Sequence, residues 1–251
     1  MRLEGQTVVL TGAAGGIGTL LTGELQRRGA TVIGIDRTEC GDCDETIVAD
    51  LSSRSELEEL CEVLRRRQVD MIVNLAGMQY FGPFERQDLG NIWTGYVVNL
   101  VAPATLVRAV LPQMQARGTG QIVNIGSVMG AVNYPHFATY SSSKCGLRGL
   151  SEALRRELGK STITITYIAP RAVRTAFNGA DVNRFLEVAR MRADDPARVA
   201  RRIAKAIVDR RKEVTLGVVE HIFTRMNGLC PRLIDAGLKG TTAKAKALFS
   251  N

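Results

Sequence analysis

Hydrophobic positions along the chain alternate between a period of two and a period near 3.6 as far as about residue 217. Thr7 to Thr11 (TVVLT) reads as a buried strand, followed by a helix with Ile17, Leu20, Leu21 and Leu25 on one face and a stop at Gly29. Strands are expected at Thr31 to Asp36, Thr46 to Asp50 and Met71 to Asn74. Between the last two, Ser53-x-x-Glu56 writes a capping box ahead of the stripe Leu57, Leu60, Cys61 and Leu64. A long helix is predicted from about Leu89 to Gln115, a strand over Gln121 to Ile125, a helix from about Thr139 to Leu158 and a strand from Thr162 to Ile168. Asp195-Pro196 starts another helix, with Val199, Ile203 and Ile207 inward, and Val214 to Leu216 is a last short strand. Strands separated by helices of this length imply right-handed βαβ units. The fold class is therefore α/β, a single Rossmann-type doubly wound parallel sheet with helices on both faces.

No linker or repeat divides the chain, which reads as one domain over 1–251, with a core of 1–217 and an extension of 218–251. In the extension Ile222, Phe223, Met226, Leu229, Cys230, Leu233 and Ile234 fall on one helical stripe interrupted by Gly228 and Pro231. This predicts two short amphipathic helices, packed as a lid on a cleft or docked on an anionic membrane.

Composition changes this picture little: 45% of the 251 residues are hydrophobic and 23% charged, as in an ordinary globular chain. The opening Met-Arg-Leu-Glu-Gly-Gln lacks an apolar signal, and the longest apolar candidate, Val8 to Leu21, is broken by glycines. A cytoplasmic location is expected, with peripheral membrane contact left open. Half of the +8 net charge lies in 221–251, where five cations meet Asp235 alone. The rest is spread thinly, with no aromatic platform, so nucleic acid is not an expected partner. Of the five cysteines, Cys40 and Cys43 form a CxxC pair without a second pair nearby. They read as free thiols on an exposed loop, and no metal site is expected.

Candidate chemistry begins at Thr11-Gly12-Ala-Ala-Gly15-Gly16-Ile17-Gly18, between the first strand and the first helix. Glycines there let backbone approach a pyrophosphate, and a helix beginning near Gly16 turns its free N–H groups toward it. Asp36 ends the second strand, where a carboxylate accepts from ribose hydroxyls and repels a 2′-phosphate. This favours NAD over NADP, with Arg37 keeping NADP open. Asp50 reads either as a partner of the adenine amino group or as a helix N-terminal charge, with Leu51 beside it. Tyr140 and Lys144 stand four apart on one helical face, with Ser127 thirteen residues before Tyr140 and Asn99 within the long helix.

In this order TGxxxGxG, Asn74-Leu75-Ala76-Gly77, Asn99, Ser127 and YxxxK resemble the short-chain dehydrogenases/reductases, in the branch of about 250 residues. The resemblance runs from Arg2 to about Leu216. It implies an oxidoreductase moving a hydride between nicotinamide and an alcohol or ketone. Tyr140 would be the general acid/base, its pKa lowered by Lys144 and by oxidised nicotinamide. Ser127 would bond the substrate oxygen, Lys144 would also bind the nicotinamide ribose, and Asn99 would hold a water linking Lys144 to solvent. Gly12, Gly16, Ile17 and Gly18 would bind phosphates, while Asn74, Ala76 and Gly77 would support the sheet and line the adenine-ribose side. Pro170-Arg171-Ala-Val173-Arg-Thr175 is similar to the family's PGxxxT loop, in which Thr175 contacts the carboxamide. Arg171 replaces a glycine there, and a positive φ at that position would reroute the loop.

Relatives line their pocket with the stretches that hold Phe177, Phe185, Leu186, Val188 and Met191, and Met129, Val132, Tyr134 and Phe137. A small or medium lipophilic alcohol or ketone is the expected substrate. The alternatives are a 3-oxoacyl reductase acting on carrier-bound chains, to be supported by arginines at the cleft mouth, and a non-catalytic dinucleotide-binding regulator, which the Ser-Tyr-Lys set disfavours. Lacking the glycine-rich closing strand of tetrameric relatives, the chain is expected to dimerise through its two long helices.

Overall fold

The computed structural model describes residues 3–249. Seven strands form one parallel sheet in the order β3-β2-β1-β4-β5-β6-β7. They are β1 (Thr7–Thr11), β2 (Thr31–Asp36), β3 (Glu45–Val48), β4 (Met71–Asn74), β5 (Gln121–Ile125), β6 (Thr164–Pro170) and β7 (Glu213–Leu216). The order reverses between β1 and β4, and a crevice opens there at the carboxyl ends of the strands. Central strands are apolar on both sides because both faces are covered.

On one face α1 (Gly18–Gln26) and α7 (Pro196–Val208) bury Leu21, Leu25, Val199 and Ile203 against Val8, Leu10 and Met71. The other face receives α2 (Arg54–Arg65), α4 (Ala102–Arg117) and α5 (Ala138–Glu157), with Leu60, Leu106 and Val110 meeting Val9, Ile33 and Ile72. The capping box of α2 is modified. Ser53 accepts from the Glu56 N–H, whereas the Glu56 carboxylate reaches past it to the Asp50 N–H at 2.8 Å.

The long helix is not continuous. It runs as α3 (Leu89–Tyr96), widens into a π-turn over Val97–Val101, and resumes as α4. Asn99 occupies that turn and explains it. Its Oδ1 accepts from the Met78 N–H at 3.0 Å, and its Nδ2 donates to Met78 O at 2.8 Å and to Ser143 Oγ at 3.0 Å. The stretch Leu89–Arg117 has a mean hydropathy of 1.4 over its most apolar window and is long enough to cross a bilayer, yet Leu106, Val107, Val110 and Met114 are spent on the sheet.

Three helices close the carboxyl end of the sheet: α6 (Ala180–Val188), α8 (Val218–Leu229) and α9 (Pro231–Ala247). A third apolar cluster joins Phe137 and Tyr140 to Val182, Phe185, Leu186 and Ala245. Of the apolar stripe expected to pack as a lid, Ile234 on α9 is buried and Phe223 on α8 lines the cleft, whereas Leu229 and Leu233 are exposed. The CxxC expectation also needs correction: Cys40 is buried and Cys43 half-buried, their sulfurs 2.8 Å apart under the β2–β3 connection.

Candidate active site

A cleft of about 870 Å³ follows the strand ends from the β2–β3 side to α6 and α8. Its floor at one end is the glycine loop. Gly12 has φ +72°, and a Cβ on it would lie 2.8 Å from the Ala76 Cα. A Cβ on Gly18 would come within 2.7 Å of Ala13 O, so at both positions the loop closes only without a side chain. The helix starts at Gly18, two residues later than expected, which lengthens the loop facing the cleft.

Asp36 stands at the end of β2 with both carboxylate oxygens held by backbone, Oδ2 by the Ala14 N–H at 3.0 Å and Oδ1 by the Arg37 N–H at 2.7 Å. This fixes an acceptor beside the glycine loop, and Arg37 and Thr38 line the same wall. Asp50 lies beyond β3 rather than ending it. Ser52 bonds its Oδ1 through both N–H and Oγ, which holds the carboxyl below the usual carboxylate range. These groups and the close-packed glycine cradle fit the adenosine and pyrophosphate of a dinucleotide.

At the other end β5 and α5 bring Ser127, Tyr140 and Lys144 together in the cleft wall. The Lys144 ammonium donates to Ile125 O at 3.0 Å and sits 6.0 Å from the centroid of the Tyr140 ring. Burial pushes the Tyr140 phenol up to about 12, against a hydrogen bond with Ser127 that pulls it down, and burial lowers Lys144 to about 8. The expected lowering of Tyr140 is thus reversed in the protein alone: desolvation outweighs its partners.

Ile17, Leu51, Ala76, Gly77, Pro170, Val173 and Thr175 line the cleft along with Gly12, Gly16 and Gly18. Asn74 does not. It is buried beneath, donating to Asn124 Oδ1 at 2.8 Å, and Asn124 in turn donates to Ser151 Oγ at 2.8 Å, which ties β4 and β5 to α5. Asn99 also stands back from the main cleft, beside a smaller polar cavity behind Tyr140. Both its amide hydrogens are committed, so only an Oδ1 lone pair remains for a water.

Arg171 is not in the left-handed region. It needs no glycine-like φ and serves as a clamp: Nε and Nη2 grip the two Asp194 oxygens at 2.9 and 2.7 Å, and Nη1 reaches Glu220 at 3.1 Å. Met129, Tyr134, Phe137, Phe177, Leu186 and Met191 line the cleft as expected. Phe185 and Val132 are core and Val188 faces outward, because each lies on the opposite side of its segment. Phe223 of the C-terminal stripe reaches the rim as expected of a lid, whereas sequence reasoning missed Gln79, whose amide bonds Phe177 O at 2.9 Å across the opening, and Val219, Arg190 and Arg192 at the rim.

The pattern of the short chain dehydrogenases matches residues 6–184. This chain is a short-chain dehydrogenase/reductase. It is 31% identical over 227 residues to the ketoacyl reductase HetN of Nostoc sp., covering 84% of this chain and 78% of that one. It is 29% identical over 184 residues to the 3-oxoacyl-[acyl-carrier-protein] reductase FabG of Haemophilus influenzae, covering 69% and 76%. A solved structure from Beutenbergia cavernae, assigned as an NAD(P)-dependent gluconate 5-dehydrogenase and holding NADP at low occupancy, superposes with a TM-score of 0.77 at 30% identity, covering 85% of this chain and 95% of that one. The family's general chemistry is oxidoreduction at an alcohol or carbonyl carbon with a nicotinamide dinucleotide.

Proposed function

We propose that the protein is a reductase and dehydrogenase of lipophilic ketones and secondary alcohols, with NAD as its preferred cofactor. The observation that carries this reading is the convergence of Ser127, Tyr140 and Lys144 at the apolar end of a cleft whose other end presents the glycine loop and Asp36. The dinucleotide supplies or accepts the hydride. Tyr140 holds its proton at neutral pH and donates it to the substrate carbonyl oxygen, or removes it from the hydroxyl in the reverse direction. Ser127 orients that oxygen by a second hydrogen bond. Lys144, protonated below about pH 8, favours the phenolate that forms on Tyr140 and offers its ammonium to ribose hydroxyls. Asn99 fixes Met78 and so the Gly77 backbone beside Lys144. Asp36, already held by two backbone donors, accepts from the adenosine ribose and opposes a 2′-phosphate.

Arg190 and Arg192 on the cleft wall favour a second reading, a 3-oxoacyl group presented on an acidic carrier, the chemistry named for HetN and FabG. Fluorescence titration with NADH and NADPH at one salt concentration, followed by turnover of medium-chain ketones and a 3-oxoacyl thioester, separates the two. NADH binding about tenfold tighter with ketone turnover supports the first reading. NADPH preference with thioester turnover supports the second, and binding without turnover of either defeats both. Asp36→Ala should move the preference toward NADPH. Tyr140→Phe should lower kcat at least about a thousandfold with cofactor affinity nearly unchanged, and near-normal turnover would remove Tyr140 from the chemistry.

A further inference from the structure

Helix α8 meets the body by a mixed side, on which the polar Glu220 and Asn227 flank Phe223. Glu220 is held by Arg171 and Asn227 donates to Ala131 O at 2.8 Å, so these two side chains fasten the helix to the body. At about 100° per residue, Val218, Ile222 and Leu229 lie roughly 140° around the helix from that seam or further, and Met226 flanks them at about 100–120°. They are exposed, Leu229 to 83%, and Leu233 in the first turn of α9 extends the patch. A helix that buried its apolar stripe on its own domain would show the reverse arrangement. The stripe lies outside residues 6–184, the part matched by the family pattern.

The groups bordering the stripe select an occupant. Arg225 and Arg232 are exposed next to the stripe and Lys239 and Lys244 further along α9, while Asp235 is the one carboxylate in 221–249 and the Glu220 charge is met by Arg171. A protein interface of this kind is depleted of lysine, whereas anionic headgroups are attracted by each added cation. An apolar face with a cationic border on a short surface helix matches the plane of a bilayer interface. The same helix places Val219 and Phe223 in the cleft wall, so the outer face and the cleft mouth share one element.

We infer that α8 and the start of α9 form an anionic-membrane docking surface that seats the cleft mouth at the lipid interface. The docking itself does not depend on the proposed reaction. It rests on the exposed apolar side of α8 and the cations of α8 and α9, and delivery of lipophilic substrates from the bilayer follows only if the proposed reaction also stands.

Flotation of the full chain with phosphatidylcholine vesicles, with and without roughly 30% phosphatidylglycerol, reads the docking without turnover. The wild type should float with the anionic vesicles, less so at high salt. The exposed double substitution Ile222→Glu, Met226→Glu should weaken partitioning by at least about tenfold with its thermal melt unchanged, and Lys239→Glu, Lys244→Glu should weaken it in proportion to the charge reversed. No flotation of the wild type at low salt would overturn the inference, as would equal flotation of the Ile222/Met226 variant. A fall in oligomeric state of that variant in lipid-free sedimentation would also overturn it, by assigning the face to a second copy of the chain.

Discussion

Burial moves Tyr140 and Lys144 away from their ordinary pKa values in opposite senses, the phenol up to about 12 and the ammonium down to about 8. Both shifts favour the neutral form, as desolvation requires. In the reduction direction the protonated phenol is the useful species at neutral pH. Alcohol oxidation needs the phenolate, whose fraction climbs tenfold per pH unit while the pH is below the pKa. Initial rates of oxidation, as kcat/KM, should therefore rise about tenfold per unit between about pH 6 and 7.5 and flatten as Lys144 loses the charge that supports the phenolate. A profile already flat at pH 6 would mean that the phenol ionises far more easily than its burial dictates. Much of this site was legible in the sequence, because Tyr140 and Lys144 share one helical turn and Asp36 closes a recognisable strand. The balance of desolvation against charge was not, since it depends on burial supplied by Phe137 and α6.

Among the elements, Arg171 joins three segments far apart in the chain: the end of β6, the loop before α7 and the first turn of α8. Its bidentate grip on Asp194 holds that carboxyl below the usual carboxylate range. Arg171→Ala should cost about 1–3 kcal/mol in urea denaturation at neutral pH, by leaving Asp194 and Glu220 partly buried without their cation. Because the folded-state pKa of Asp194 is depressed, its contribution is complete above the unfolded value of 3.8 and is lost as pH falls through the lower folded one. The difference between wild type and variant should narrow accordingly in acid. Periodicity located α8 and α9 correctly but could not orient α8. A helical stripe specifies which residues share a face, whereas the side that meets the body is decided here by Glu220 and Asn227, whose partners lie 49 and 96 positions away. The π-turn escaped notice for a related reason: one extra residue in a turn leaves apolar spacing readable on both sides of Asn99.

At the scale of the whole molecule the single parallel sheet and the glycine loop were legible from alternating strands and helices, whereas the strand order was not, and α6 forms in a stretch read as a loop because its short apolar run carries no cap. Assembly is a matter of what the surface leaves uncovered. Leu89 and Trp93 on α3 are 80% and 72% exposed, and Tyr96 bonds Ser142 of α5 at 2.7 Å, so α3 presents exposed apolar side chains beside α5. We propose that a homodimer would bury this face. Trp93→Glu should shift sedimentation from dimer to monomer without lowering the melting temperature of the monomeric fold, and an unchanged dimer would place the interface elsewhere.

The distribution of thiols has a practical corollary. Cys40 and Cys61 are buried, and Cys43 is held as a neutral thiol, pushed up to about 12 mainly by burial. Cys145 on α5 and Cys230 at the α8–α9 joint are exposed. A thiol-reactive dye applied to the folded monomer will therefore label two sites, and no engineered cysteine is required to observe Cys145 becoming shielded on dimerisation or Cys230 on vesicle binding.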